Sequence, residues 1–109
     1  MNLRTFTICL SIFAGCTSLI PLPEKTDMTI VNERWSNSSI DELFSGRNIY
    51  ITKCSGCHGI KPPASYTANE WDTILVGMIP KAKLTSAEGD LVKKYLYVKS
   101  HRFFDGGPK

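Results

Sequence analysis

The chain has little cysteine, no apolar run of membrane-spanning length and no strong excess of one charge. Its 109 residues include four cysteines, and the apolar stretch over residues 6–14 is too short to cross a bilayer. Thirteen basic and ten acidic side chains leave a formal net charge of +3, which indicates neither nucleic-acid binding nor bulk attraction to anionic lipid. Repeats and strand-like alternation are also missing. The sequence therefore predicts one small all-α domain.

The N-terminal residues are typical of an export signal. Arg4 precedes the apolar stretch, and small residues precede Cys16. Residues 13–16, Phe-Ala-Gly-Cys, resemble the lipobox of bacterial lipoproteins, in which the cysteine is acylated and becomes the first residue of the mature chain. The resemblance implies a signal peptide over 1–15 and a lipid-anchored protein on the periplasmic side of a bacterial membrane. The alternative is ordinary cleavage near Cys16, which would release a soluble periplasmic protein.

Residues 54–58, Cys-Ser-Gly-Cys-His, match the attachment motif of a c-type haem. Cys54 and Cys57 are spaced to form thioethers with the two vinyl groups, and His58 then lies where its imidazole can bind iron. A redox dithiol usually precedes a helix in a βαβ context, which this sequence lacks. A zinc site needs about four ligands, and only His101 and the N-terminal cysteines remain. We therefore expect one covalent haem c.

Three helices are predicted from a shared start signal, the capping box, in which a hydroxyl side chain is followed three residues later by glutamate. Apolar side chains recur at helical spacing after each start. The predicted helices cover residues 40–53, 68–78 and 86–98. The capping pairs are Ser39 with Glu42, Thr67 with Glu70, and Thr85 with Glu88.

These helices place a folded domain over residues 39–100. Residues 16–38 contain Pro21, Pro23 and scattered charges without periodicity, which predicts a lipidated N-terminus followed by a flexible tether. Residues 101–109 contain two glycines and a proline and are predicted to form a frayed C-terminal tail.

Gly46, Tyr50 and the haem motif stand in the order Gly-x-x-x-Tyr-x-x-x-Cys-x-x-Cys-His, which resembles the opening helix of small monohaem class I cytochromes c. The resemblance covers about residues 39–98. It implies a small domain of about three helices wrapped around the haem. It also implies that the glycine lets the last helix cross closely, and that the tyrosine packs against Tyr95 or Leu96 of that helix.

The second axial ligand of the iron is expected to be Met78. Its thioether shares a predicted helix face with Trp71 and could reach iron from the side opposite His58, which would raise the reduction potential relative to a second imidazole. The alternative is that Met78 is a core residue that only fills space, as methionine often does. His101, beyond the last helix, and Met28, in the predicted tether, are the rival ligands.

Further haem contacts follow from the resemblance. In that family a proline carbonyl often accepts from the second nitrogen of the proximal imidazole, a role that Pro63 or Pro62 would take unless they only break the loop. Trp71 would pack against the porphyrin edge or act as a simple core anchor.

Four lysines near the expected haem edge would steer an acidic redox partner, or serve solubility alone. They are Lys53, Lys61, Lys81 and Lys83.

The function that these residues predict is that of an exported monohaem cytochrome c, which passes single electrons between redox proteins as a monomer or as a subunit of a redox complex. It would be an electron-transfer protein and no enzyme, because no catalytic constellation is evident. A different class is also open: a haem-containing subunit or a gas- or redox-sensing module with a displaceable sixth ligand. Peroxidase-like activity would need distal acid or base groups, which the sequence does not suggest.

Overall fold

The computed structural model describes residues 20–54 and 59–100, and over this part of the chain every regular element is helical. The predicted all-α fold class is confirmed. No helix within these two ranges is long and apolar enough to cross a membrane. In chain order the elements are α1 (Asp27–Val31), α2 (Ile40–Ile49), a π-helical turn (Tyr50–Cys54), a 3-10 turn (Pro63–Ser65), α3 (Ala68–Lys81) and α4 (Ser86–Lys99).

The three predicted capping boxes are all present and start the three long helices. At α2 the Glu42 amide donates to the Ser39 hydroxyl over 3.2 Å, and the Ser39 amide donates to the Glu42 carboxylate over 2.9 Å. The same reciprocal pair forms at Thr67 and at Thr85. Each box satisfies two backbone amides that the helix itself leaves without a partner. Local sequence therefore determines where these helices begin.

Helix α3 runs three residues beyond its predicted end, through Pro80 to Lys81. A proline in the last turn removes only one hydrogen bond of the helix, so the neighbouring contacts can still carry the chain through it. The helix closes when the Leu84 amide donates to the Ile79 carbonyl over 3.0 Å. That closure puts Lys83 in the left-handed region, at φ 56°, where a glycine would be the usual residue.

Helix α4 is the central element, because it packs against α2, α3 and α1. Two groups of buried side chains lie along it. The larger group joins α4 to α2, the π-helical turn and α3, and its buried members are Ile20, Tyr50, Cys54, Trp71, Leu75, Val92, Tyr95 and Leu96. The smaller group joins α4 to α1 and the start of α2, and its buried members are Val31, Leu43 and Val98.

The described part of the predicted tether, residues 20–38, packs on the domain, and here the tether prediction is wrong. Ile20 is 8% exposed and belongs to the larger core group. Its carbonyl accepts two hydrogen bonds from the Arg47 guanidinium, over 3.1 and 2.9 Å, and the next carbonyl, of Pro21, accepts from the Tyr95 hydroxyl over 2.6 Å. Side chains of the later helices thus supply the partners that an irregular segment cannot supply for itself.

Further along the same segment, α1 is held against α4 by charge and by aromatic packing. Asp27 and Lys99 form a buried ion pair at 2.8 Å. Trp35 meets Tyr97 edge to face with ring centroids 5.3 Å apart, and the Arg34 guanidinium lies 4.6 Å from the Trp35 ring. The sequence did not predict α1, because a five-residue helix without a side-chain cap gives almost no local signal.

Candidate functional site

A mostly apolar cavity of about 240 Å³ opens where the chain leaves the π-helical turn. Its walls come from the end of that turn, from the residues that follow the haem motif, and from one face of α3. The volume lies a little below the about 300–1,000 Å³ that is usual for ligand clefts. The lining residues are Cys54, Gly59, Ile60, Lys61, Tyr66, Trp71, Ile74 and Met78.

Cys54, the first residue of the predicted attachment motif, lies in the wall of this cavity. It is 7% exposed, ends the π-helical turn and belongs to the larger core group as well as to the cavity wall. Single π-helical turns inside or beside α-helices are frequent at functional sites. The other predicted attachment residues, Cys57 and His58, lie outside the described residues, and so do Cys16 and His101.

Tyr50, the first residue of the π-helical turn, is 1% exposed and touches both the core and the segment after the motif. Its hydroxyl donates to the Lys61 carbonyl. Its ring meets that of Trp71 edge to face at 5.9 Å and that of Tyr95 at 6.3 Å, tilted by 48°. Burial raises the pKa of the Tyr50 phenol far above its usual range, so the hydroxyl keeps the proton that it donates.

Trp71 lies in the wall between the cavity and the core, and it is 2% exposed. Its indole N–H donates to the Pro63 carbonyl over 2.7 Å. Pro62 also has its carbonyl engaged, by the Ser65 amide at 2.9 Å. A carbonyl has two lone pairs, so the predicted acceptance from His58 at Pro63 stays a prediction.

Met78 lines the cavity together with Trp71 and Ile74, and it is half-buried. The predicted face of α3 therefore forms, and Met78 lines the same cavity as Cys54. Met28, the rival methionine, instead packs on the smaller core group and does not appear among the lining residues. Of the methionines in the described part of the chain, Met78 is thus the one placed to reach a cofactor in this cavity.

Tyr66 is a lining residue that the sequence-based reasoning did not single out. It precedes the capping residue of α3 and packs edge to face on Trp71, four residues into the helix, with centroids 5.0 Å apart. This is the hydrophobic staple, in which the residue before the cap contacts the fourth residue of the helix. The Thr67 capping box gave the register from which the Tyr66 contact could have been predicted.

The four lysines predicted near the haem edge fall into two groups. Lys53 forms an ion pair with Glu88 at 2.6 Å, so part of its charge is neutralised. Lys61 lines the cavity and is exposed, and Lys81 and Lys83 are exposed as well. None of these three has an ion-pair partner among the described residues.

The described lining residues are of the types that surround a haem. A thiol, a thioether and a wall of aliphatic and aromatic side chains meet in one cavity beside the end of the attachment motif. Within residues 20–54 and 59–100, no three His, Cys, Asp or Glu side chains are grouped so that they could hold a metal ion by themselves.

Comparison with known proteins gives no relative. No protein-family model matches the chain, no curated protein is similar to it at a significant level, and no solved structure matches its fold.

Proposed function

We propose that this protein is an exported monohaem c-type cytochrome that carries single electrons between redox partners. Cys54 and Cys57 would hold the haem through thioethers, His58 would be the proximal ligand and Met78 the distal ligand. The observation that carries the proposal is that Cys54, which begins the attachment motif, and Met78 line the same cavity.

The chain would supply burial, axial ligands and a path for electrons to the surface. When bound, the haem iron gains and loses one electron. Ile60, Ile74 and Trp71 would exclude water from it, and a thioether ligand from Met78 would favour the reduced state relative to an imidazole. Lys61, at the rim, would favour an acidic partner at this side of the domain.

A lipid at Cys16 would hold the domain close to a bilayer surface on the periplasmic side. Ile20, only four residues after Cys16, is already packed in the core. Four residues span at most about 14 Å when fully extended. The domain would therefore sit at the surface and would not swing on a long tether between distant partners.

The optical spectrum of the full chain, produced together with a cytochrome c maturation system, tests the haem and its ligands. We expect haem that survives acid-acetone extraction, a weak far-red sulfur-to-iron band in the oxidised protein, and no carbon monoxide binding after reduction. Met78→Ala should lose the band and bind carbon monoxide. Met28→Ala is the matched control and should retain the unmodified spectrum, because that side chain packs on the smaller core group.

Two results would overturn the proposal. If the chain binds no haem covalently, it is not a c-type cytochrome. An unmodified protein that lacks the far-red band and binds carbon monoxide readily would instead favour the gas- or redox-sensing module.

A further inference from the structure

Two buried aromatic side chains hold the residues that follow the haem motif. The Tyr50 hydroxyl donates to the Lys61 carbonyl, and the Trp71 indole donates to the Pro63 carbonyl over 2.7 Å. The two rings themselves meet edge to face at 5.9 Å. One donor comes from the turn before the motif and the other from α3, so residues 61–63 are tied to both neighbouring elements.

The hydrogen bond from Trp71 to Pro63 is buried, and the one from Tyr50 to Lys61 is part-buried but has a buried donor. Tyr50 and Trp71 are 1% and 2% exposed, and Pro63 is fully buried. A buried donor or acceptor that loses its partner keeps the whole penalty of desolvation, so each bond strongly favours the arrangement in which it is made. The tie between the π-helical turn and the Lys61 carbonyl closes the intervening chain, which contains the whole attachment motif, into a loop.

We propose that Tyr50 and Trp71 are positioning residues that fix the two flanks of the attachment motif, Cys54 and Gly59, against the cavity wall. The inference deepens the proposed function and rests on it, because a fixed loop matters to the cofactor only if the motif holds haem. In that case the tie sets where the proximal imidazole stands relative to Met78. Neither residue needs to touch the iron for this effect.

The chain offers two matched controls. Tyr95 is also fully buried, and its hydroxyl also donates to a backbone carbonyl, that of Pro21 at 2.6 Å, but this acceptor belongs to the N-terminal segment. Tyr66 lines the same cavity and packs on Trp71, yet its hydroxyl makes no hydrogen bond within the described ranges. Tyr95→Phe therefore reports the general loss of a hydrogen bond from a buried hydroxyl, and Tyr66→Phe reports the loss of a hydroxyl from the cavity wall.

The experiment compares Tyr50→Phe, Trp71→Phe, Tyr95→Phe and Tyr66→Phe in the full chain, before and after haem attachment. Amide hydrogen exchange at Cys54, which ends the π-helical turn, and at Ser65, whose amide donates to the Pro62 carbonyl, measures how firmly the two ends of the loop are held. The reduction potential and the proton resonances of the haem and its proximal ligand measure the geometry at the iron. We expect Tyr50→Phe and Trp71→Phe to raise exchange at these two amides by about tenfold, from the loss of one hydrogen bond with a buried donor, and to move the potential and the resonances.

The controls decide what the changes mean. Tyr95→Phe should lower stability comparably while it leaves these amides, the potential and the resonances unchanged, and Tyr66→Phe should leave the amides unchanged. Unaltered exchange in Tyr50→Phe, or equal effects of Tyr50→Phe and Tyr95→Phe, would overturn the inference. So would altered exchange with an unaltered potential and spectrum. A chain that takes up no haem would instead refute the proposed function, and the exchange measurement would still test the tie.

Discussion

The backbones of α2 and α4 touch where Gly46 faces Leu91. A Cβ atom at Gly46 would overlap the Leu91 carbonyl oxygen, and it would lie 2.7 Å from the Leu91 carbonyl carbon and 3.0 Å from the Tyr95 Cβ. Four residues later, at the start of the π-helical turn, Tyr50 packs against the same Tyr95. The close crossing and the aromatic contact are the two features that the resemblance to class I cytochromes c implied for these positions. They support the proposed function.

Gly46→Ala should be severely destabilising. The overlapping atoms belong to backbone, which cannot rotate away, so the two helices must separate and the core around Tyr95 must open. Overpacking of a core costs about 1–3 kcal/mol and occasionally more, and we expect a loss at or above the upper end of that range. The measurement is the free energy of unfolding in denaturant.

Gly77→Ala is the control for Gly46→Ala. Gly77 also lies inside a helix, but a Cβ there would meet nothing within 4 Å. Alanine should therefore stabilise α3 by about 0.5–1 kcal/mol through its better helix propensity. A gain in stability in both variants would show that helix propensity, and not the α2–α4 crossing, controls stability at these positions.

The helix starts and the α3 face of the cavity were predictable because their signals are local. A capping box needs only four consecutive residues, and the placement of Trp71 and Met78 on one face follows from the period of the helix. The packing of residues 20–38 was not predictable in the same way. It depends on Arg47 and Tyr95, which are far away in sequence and meet Ile20 and Pro21 only after α2 and α4 have crossed.

The hydrogen bond from Tyr50 to Lys61 could not be predicted from the sequence for a related reason. The resemblance gave Tyr50 a packing role, and its ring does pack on Tyr95. The hydroxyl, however, reaches a carbonyl eleven residues later, across a loop whose path has no periodic pattern. The π-helical turn could not be predicted either, because residues 40–53 have the composition of an ordinary α-helix. The change from α-helical to π-helical winding depends on the contacts at the end of this segment.

A chain that begins at Ser39 should be much less stable than one that begins at Leu19. The shorter chain loses Ile20 and Val31 from the core, and burial of one such side chain contributes about 1.5–3 kcal/mol. It also removes the acceptors of Arg47 and Tyr95. We expect a loss of at least about 3 kcal/mol in the free energy of unfolding, measured with the same haem content in both chains. A free tether over this segment predicts no difference between them.

The pair formed by Lys94 and Glu42 should make stability depend on pH on the acid side. The Lys94 ammonium, at 2.6 Å, lowers the pKa of the Glu42 carboxyl below its ordinary value of 4.5, and the Ser39 amide lowers it further. Because the pKa is lower in the folded state, this contribution is present above about pH 4.5 and is lost as pH falls through the folded value.

Lys94→Met should therefore reduce the free energy of unfolding at neutral pH. Below pH 4.5 the unfolding free energy of this variant should fall less steeply than that of the unmodified protein. The remaining decline comes from the Ser39 contact, which the variant keeps, and from Glu88, whose pKa Lys53 lowers in the same way. Lys81→Met removes the same charge from an exposed position without an ion pair in the described part of the chain, and it should leave the acid limb unchanged. If the unfolding free energies of the unmodified protein and of Lys94→Met fall equally steeply below pH 4.5, Lys94 does not lower the pKa of Glu42. The measurement is the unfolding free energy from pH 3 to pH 7, with pH as the only variable.

Lys99→Met should be among the most destabilising single changes outside the cavity. The Lys99 and Asp27 side chains are only 12% and 7% exposed, so the variant leaves a buried carboxylate without its counter-charge. Removal of one partner from a buried pair typically costs about 3–5 kcal/mol. The Glu24 amide, which donates to the same carboxylate over 2.8 Å, compensates only in part.

Lys53→Met is the matched control for Lys99→Met, because Lys53 forms its ion pair with Glu88 at the surface, where its side chain is 45% exposed. Solvent screens that pair, and we expect a much smaller change in the unfolding free energy. A double variant, Asp27→Asn with Lys99→Met, should recover part of the loss, since no charge then stays buried alone. If Lys99→Met and Lys53→Met are equally mild, α1 is not held to α4 by this pair, and its anchoring rests on Val31 and the Trp35–Tyr97 contact.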